Sequence, residues 1–292
     1  MAVFGSKLTG AGRRNPDGAA GDWFVDKACF NCSAARAVAP GLIVEKGGMS
    51  VFARQPATPE EELMAWRAVL VCPTASVRTE SKRKPPDDVF PQELAPGVYR
   101  CGYNARASYG AQSYFVHRDD GNLMIDAPRW ASQLVSWIEG AGGIADILLT
   151  HRDDVADADR YAERFSARVW IHEDDRKAAP YATHILNGRD RTAISGDLQA
   201  IPVPGHTNGS VVYLLDETYL LTGDSLAWSH AEQDLQAFRG ACWYSWEEQT
   251  RSLAALAAYR FAWVLAGHGG SVNLPAEEMN RRLAGLVERM GR

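Results

Sequence analysis

The chain has 292 residues, 46% of them apolar and 23% charged, with a net charge of −5 at pH 7. This balance is that of a soluble globular protein, with room for one large domain or for a small and a large one. The mild acidity argues against a nucleic-acid partner, which needs a basic face, and no run reaches the roughly 18 to 20 apolar residues of a membrane helix. Residues 1–20 are polar and glycine-rich and lack an apolar core of signal-peptide length, which predicts a flexible leader and a cytoplasmic location.

A small domain is expected over 21–77. Cysteines stand at 29, 32, 72, 101 and 242. In a reducing compartment close spacing points to metal or cluster binding, and only Cys29 and Cys32 are close together. Cys101 and Cys242 have apolar or aromatic neighbours and are expected to be free and buried. Residues 78–96 are rich in charge and proline without an apolar period, which predicts a linker. The large domain is expected over 97–292.

Within it, short apolar runs predict strands at 98–103, 113–117, 122–126, 146–150, 168–172, 198–202, 210–215, 219–222 and 262–266. Tight turns such as Asp119-Asp120-Gly121-Asn122 favour antiparallel pairs early in the sheet. Helices are expected at 246–259 and 275–290. In the second, Met279, Leu283, Leu286 and Met290 fall on one face, and Pro275 suits a first turn. The aromatic run 243–246, with Trp228 and Phe238, is expected to pack or to line a pocket wall.

Polar residues gather where these strands end. ILLT is followed by His151-Arg152-Asp153-Asp154, IPVP by Gly205-His206-Thr207, YLLTG by Asp224 and WVLA by Gly267-His268-Gly269. Taken singly, a histidine or aspartate there caps a turn or hydrogen-bonds locally. Four such ends in succession can converge on one rim of a sheet, and imidazole with carboxylate is the donor set of a divalent metal.

In this order the motifs resemble the metallo-β-lactamase superfamily over residues 95–290. Thr150-His151-Arg152-Asp153-Asp154 stands at its Thr-His-x-His motif. Pro204-Gly205-His206-Thr207-Asn208-Gly209-Ser210, Thr222-Gly223-Asp224 and Gly267-His268-Gly269 match the later ones, and Asp126 matches a support aspartate. The resemblance implies an α/β fold, an αββα sandwich with the site along one edge. Asp153 takes the place of a second histidine. His151, Asp153, His206 and Asp224 are then expected to hold one divalent ion (zinc, iron or manganese). A second position, left with Asp157, His268 and Asp224, is one ligand short because Ala158 stands where a histidine is expected. Asp154 or Asp159 are possible substitutes. Asp157 is the expected base or water-orienting residue.

Residues 22–77 resemble single-cluster bacterial ferredoxins, a small α+β unit. Cys29-Phe30-Asn31-Cys32 opens the motif and Cys72-Pro73 closes it, while Ala35 replaces the third cysteine. Cys29, Cys32 and Cys72 could hold a 3Fe-4S cluster, or a 4Fe-4S cluster with water or Asp26 as outside ligand; alternatively the domain is only a scaffold. The functional reading is a metal-dependent hydrolase acting on a small ester, thioester or lactam-like substrate through metal-bound water. The alternatives are an iron-dependent oxidoreductase fed by the ferredoxin-like domain and its electron-transfer partner, and a catalytically degenerate binding or regulatory module.

Overall fold

The computed structural model describes residues 13–291. Of the expected leader, residues 1–12 lie outside the described residues. Asn15 and Ala19 are tied down by backbone hydrogen bonds of 2.9 Å to Val25 and Phe52.

The N-terminal elements are β1 (Trp23–Val25), α1 (Ala34–Val38), β2 (Ile43–Lys46), β3 (Met49–Phe52), α2 (Pro59–Val71) and β4 (Val77–Thr79). β1 pairs with β4 and β2 with β3, both antiparallel. α2 starts where its sequence directs. The Thr58 hydroxyl accepts the Glu61 N–H at 3.3 Å, Pro59 fills the first turn, and Glu60, Glu61 and Glu62 face the positive end of the helix. Trp66 of α2 packs edge-on against Trp23 at 4.6 Å.

The remaining elements are β5 (Gln92–Ala95), β6 (Val98–Arg100), β7 (Tyr114–Val116), β8 (Leu123–Ile125), α3 (Ser132–Gly140), β9 (Asp146–Leu148), α4 (Ala158–Phe165), β10 (Arg168–His172), β11 (His184–Leu186), β12 (Thr192–Ala193), β13 (Leu198–Pro202), β14 (Val211–Leu215), β15 (Tyr219–Gly223), β16 (Ala227–Ser229), β17 (Asp234–Gln236), α5 (Trp246–Ala255), β18 (Trp263–Ala266), β19 (Val272–Asn273) and α6 (Ala276–Met290). Each strand expected from an apolar run is present, most of them a residue or more shorter. A seven-stranded sheet runs β11-β10-β9-β8-β7-β6-β5, and a six-stranded one runs β12-β13-β14-β15-β18-β19. The first sheet is antiparallel from β5 to β8 and parallel from β8 to β11.

Side-chain alternation makes the layers. Val211, Tyr213 and Leu215 of β14 face inward and meet Leu123, Ile125 and Leu148 of the other sheet. Their neighbours Val212 and Leu214 face outward onto Leu253 of α5 and Leu283 of α6. On the opposite side Phe115, Met124 and Ile147 face Leu134 and Ile138 of α3 and Tyr161 of α4. The result is an αββα sandwich. The small unit is packed on this outer layer, because Trp23, Phe52 and Trp66 belong to the same core as Phe115 and Met124. Replacing the buried Leu283 by alanine is expected to cost about 2–5 kcal/mol in urea unfolding.

The stretch expected as a linker, 78–96, is more structured than its composition suggests. It includes the end of β4 and all of β5, and Val89 and Phe90 are buried in the core. Among the described residues no helix is long and apolar enough to cross a membrane.

Candidate metal centre

Five strand ends deliver the site to one rim. Asp126 follows β8, His151 follows β9, His206 follows β13, Asp224 follows β15 and His268 follows β18. Asp224 Oδ2 is the hub, at 3.8 Å from His151 Nε2, 3.7 Å from His206 Nε2 and 3.8 Å from His268 Nε2. Asp153 Oδ2 lies 3.3 Å from His206 Nε2 and 4.0 Å from His151 Nε2. The His151 and His206 rings meet edge-on at 4.6 Å.

Glycines allow the strand ends to come this close. A Cβ on Gly223 would stand 2.4 Å from Thr150 Oγ1, and one on Gly267 would stand 2.8 Å from Asp224 Oδ1 and 3.1 Å from Asp154 Oδ2. Behind the ligands, Asp126 accepts the Thr150 N–H at 2.8 Å and its hydroxyl at 2.9 Å. Thr150 Oγ1 is in turn 2.9 Å from His151 Nδ1, so the imidazole is held with Nε2 free for the site.

Charge follows this packing. Burial pushes the His151 pKa down to about 4, against the pull of Asp224. His206 is also held down by burial, but Asp153 and Asp224 outweigh this and raise it. Burial likewise works against ionised Asp224, yet His268, His151 and His206 keep its carboxyl below the usual range. Asp154 is raised by burial and by the neighbouring Asp224, Asp126 and Asp153.

Among the described residues two sets of donors emerge, each with its ligand atoms within 4.8 Å of one another: His151, His206 and Asp224, and then Asp154, Asp224 and His268. Five of their atoms are buried without a hydrogen-bond partner: His151 Nε2, His206 Nε2, Asp224 Oδ1 and both oxygens of Asp154. Each such atom costs about 1–3 kcal/mol if left unpaired, and two carboxylates buried together repel. A cation at each set satisfies these atoms, so the residues present fit divalent metal.

Of the residues expected from sequence, His151, Asp153, His206, Asp224 and His268 are brought together. Asp157 is not. Its Oδ2 accepts the Trp130 N–H at 2.6 Å and lies 3.7 Å from Arg160, at the start of α4. Asp159 is exposed and accepts the Arg160 N–H. Asp154 takes the place expected for Asp157, because the chain turns after Asp153 and points the next side chain inward: Asp153 is 42% exposed and Asp154 1%. Sequence reasoning missed Asp175. This buried carboxylate accepts the Arg152 N–H at 3.1 Å and the Thr207 hydroxyl at 2.5 Å, tying the two histidine loops together.

In the small unit, burial together with nearby Cys72 and Cys29 raises the Cys32 thiol to about 11. The Ser76 N–H points at Cys72 Sγ at 3.1 Å, the arrangement a thiolate accepts. Ala35 is buried and offers no ligand atom. Asp26, a possible outside ligand, is already engaged. Its carboxylate takes Arg78 at 3.0 Å, Arg13 at 3.3 Å and the Ala28 N–H at 2.9 Å, so it anchors the cysteine loop. Cys29, Cys32 and Cys72 are thus the cysteines of the small unit, and among the described residues no side chain replaces the ligand missing at Ala35. Cys101 is buried as expected, whereas Cys242 is only half-buried, its thiol directed at the Gly205 carbonyl at 3.1 Å.

Comparison with known proteins bears on the family and the fold. Residues 25–79 match a family described as the 4Fe-4S single cluster domain of Ferredoxin I. A hydroxyacylglutathione hydrolase of Acidiphilium cryptum is 32% identical over 123 residues, 41% of this chain and 46% of that protein. One from Fuscovulum blasticum is 34% identical over 107 residues, 35% of this chain and 42% of that protein. The chain thus spans less than half the length of these curated relatives. Among solved structures, a Pseudomonas aeruginosa metallo-beta-lactamase in its mono-zinc form superposes with a TM-score of 0.52 at 18% identity, covering 68% of this chain and 94% of the other. That likeness is one of fold. The family described as the metallo-beta-lactamase superfamily matches residues 96–287, well over half of the sequence, and the chain belongs to it.

Proposed function

We propose that this protein is a metal-dependent hydrolase of a small thioester, ester or lactam-like substrate. The observation that carries the reading is the convergence of five unpartnered buried donor atoms on two adjacent positions sharing Asp224. The relatives named hydroxyacylglutathione hydrolases favour thioesters among these substrates.

His151, Asp153, His206 and Asp224 would hold the first ion, and Asp154, Asp224 and His268 a second, weaker one with fewer donors. A divalent ion held there would polarise an acyl oxygen and lower the pKa of a water towards about 7. The protein's part is to keep the ligands rigid. Asp126 and Thr150 fix the His151 ring, and Asp175 fixes the distance between the His151 and His206 loops. Asp153 is the most exposed of the donors. Asp157 acts as a positioning residue for Trp130.

Two isosteric substitutions separate these roles. Asp154→Asn is expected to weaken the second ion by more than about 100-fold while the first stays bound. Asp157→Asn is expected to leave metal content unchanged. Titration of metal-stripped protein with zinc, iron(II) or manganese(II), followed by hydrolysis of a thioester panel, checks both the site and the chemistry.

A second reading, an iron oxidoreductase supplied with electrons by the small unit, is favoured by one contact. A Cβ on Gly110 would stand 2.9 Å from Cys32 Sγ, and neighbouring Tyr109 lies 6.0 Å from the His268 ring. Three carboxylates in the donor set also suit iron or manganese. Metal and sulfide analysis after anaerobic purification separates the readings: iron in both units favours this one, and a colourless zinc protein sinks it.

A further inference from the structure

Among the described residues three large hydrophobic side chains are exposed: Tyr109 at 53%, Trp243 at 60% and Tyr244 at 50%. All three belong to the rim of the metal centre. The Trp243 ring lies 6.2 Å from the His206 ring, and the Tyr109 ring 6.0 Å from the His268 ring. The Trp243 N–H donates to the His206 carbonyl at 2.9 Å, and the Tyr244 N–H reaches the Gly205 and His206 carbonyls at 3.2 Å. The run 243–246, expected to pack or to wall a pocket, leaves the Trp243 and Tyr244 rings in solvent beside one donor of the site. Tyr109 stands beside the ligand on the other side of Asp224.

The Tyr109 wall is fixed in place. Gln112 grips both sides of His268, its N–H on the Gly267 carbonyl at 2.8 Å and its side-chain amide on the Gly269 carbonyl at 3.0 Å. Asn104 holds the Gly110 carbonyl at 2.7 Å. Tyr109 itself has a φ of +48°, a conformation that non-glycine residues rarely adopt. From the small unit, Phe30 packs edge-on against Tyr109 at 4.6 Å, and its carbonyl accepts the Tyr109 hydroxyl at 2.6 Å.

Exposed aromatic side chains flanking two donors of the site mark a binding surface, and here the occupant is whatever must reach the metal centre. We propose that Tyr109, Trp243 and Tyr244 form a cradle for an aromatic or similarly flat acyl group, and that the ferredoxin-like unit builds one wall of it through Phe30. This rests on the hydrolase reading. In the reaction the acyl C–S bond breaks, water gives its hydroxyl to the acyl carbon and a proton to the thiol, and the products are an aryl-bearing acid and the free thiol.

The test compares phenylacetyl and acetyl thioesters of one small thiol. Each ring contributes roughly three- to tenfold, so wild-type kcat/KM is expected to favour phenylacetyl by about tenfold or more. Tyr109→Ala, Trp243→Ala and Phe30→Ala are each expected to shrink this ratio about threefold or more, through a higher KM for phenylacetyl. Tyr109→Phe and Trp243→Phe keep a ring and are expected to restore most of it. Equal hydrolysis of both thioesters by wild type, or a ratio unmoved in all three alanine variants, overturns the cradle. If neither thioester is cleaved, the hydrolase reading fails, and the cradle is judged by binding alone. Phenylacetate at millimolar concentration is then expected to quench tryptophan fluorescence in wild type more than in Trp243→Phe, and equal quenching overturns it.

Discussion

Alanine at Asp224 is expected to yield a folded protein that retains neither ion. Asp224 is the one donor common to both sets, its Oδ2 facing three imidazoles at 3.7–3.8 Å. Each set loses an anionic ligand in the same substitution, whereas Asp154→Asn strikes one set only. Loss of a residue that merely supports a ligand costs about 10- to 100-fold in metal affinity or activity, so loss of the shared ligand is expected to exceed the upper figure. A second readout is thermal. An ion present at a hundred times its Kd stabilises the native state by about 2.7 kcal/mol. Wild type should therefore melt higher when zinc is added to stripped protein, and Asp224→Ala should not. Metal analysis alongside differential scanning calorimetry checks both, and a variant that keeps its ions would show that the shared geometry is not used.

Gly205→Ala is expected to damage fold and site together. A Cβ there would lie 2.2 Å from Gln249 Cβ and 2.5 Å from Gln249 Cα, and rotating a side chain cannot relieve a clash with main-chain atoms. Overpacking of this kind costs about 1–3 kcal/mol, a fall of roughly 2–12 °C in Tm for a domain of this size. The displacement also reaches the ligands. His206 is the next residue, and the Gln249 amide holds the carbonyl of Ser225, directly after Asp224, at 2.9 Å. First-ion affinity should fall along with stability. Gly196→Ala is the control, because a Cβ at that position meets nothing within 4 Å.

The contrast between Asp153, Asp154 and Asp157 shows how far the sequence alone could lead. Apolar runs ending in histidine or aspartate were legible because a strand carries its end residues to the sheet rim in a direction that the run itself defines. That logic placed His151, His206, Asp224 and His268. It could not say which of three nearby aspartates turns inward, since the segment after His151 is an irregular turn without a period. The burial of Asp154 against Asp224 and Gly267 is a tertiary fact. Asp175 was hidden for a similar reason, lying 32 residues from the Thr207 hydroxyl it holds.

The fold shows the same division. The unbroken apolar run of β14 announced a strand, and the spacing in α6 announced its buried stripe. β5 lies in a charged, proline-rich stretch and is a strand only because β6 is beside it. The shared core of the small unit and the first sheet joins residues far apart in sequence, such as Trp66 and Phe115. So does the seating of Gly110 against Cys32, which brings the cysteine loop to the edge of the metal centre.

On the proposed function, hydrolysis depends on an ion held by His151, Asp153, His206 and Asp224. The most direct measurement is turnover of a thioester panel by chelator-stripped protein as a divalent ion is returned in sub-stoichiometric steps. The expected result is no turnover at the start and a rise that follows occupancy up to one ion per chain, absent in Asp224→Ala. Turnover by the stripped protein at the rate of the untreated one, or a failure to take up any ion, would show that hydrolysis does not depend on these residues holding a metal.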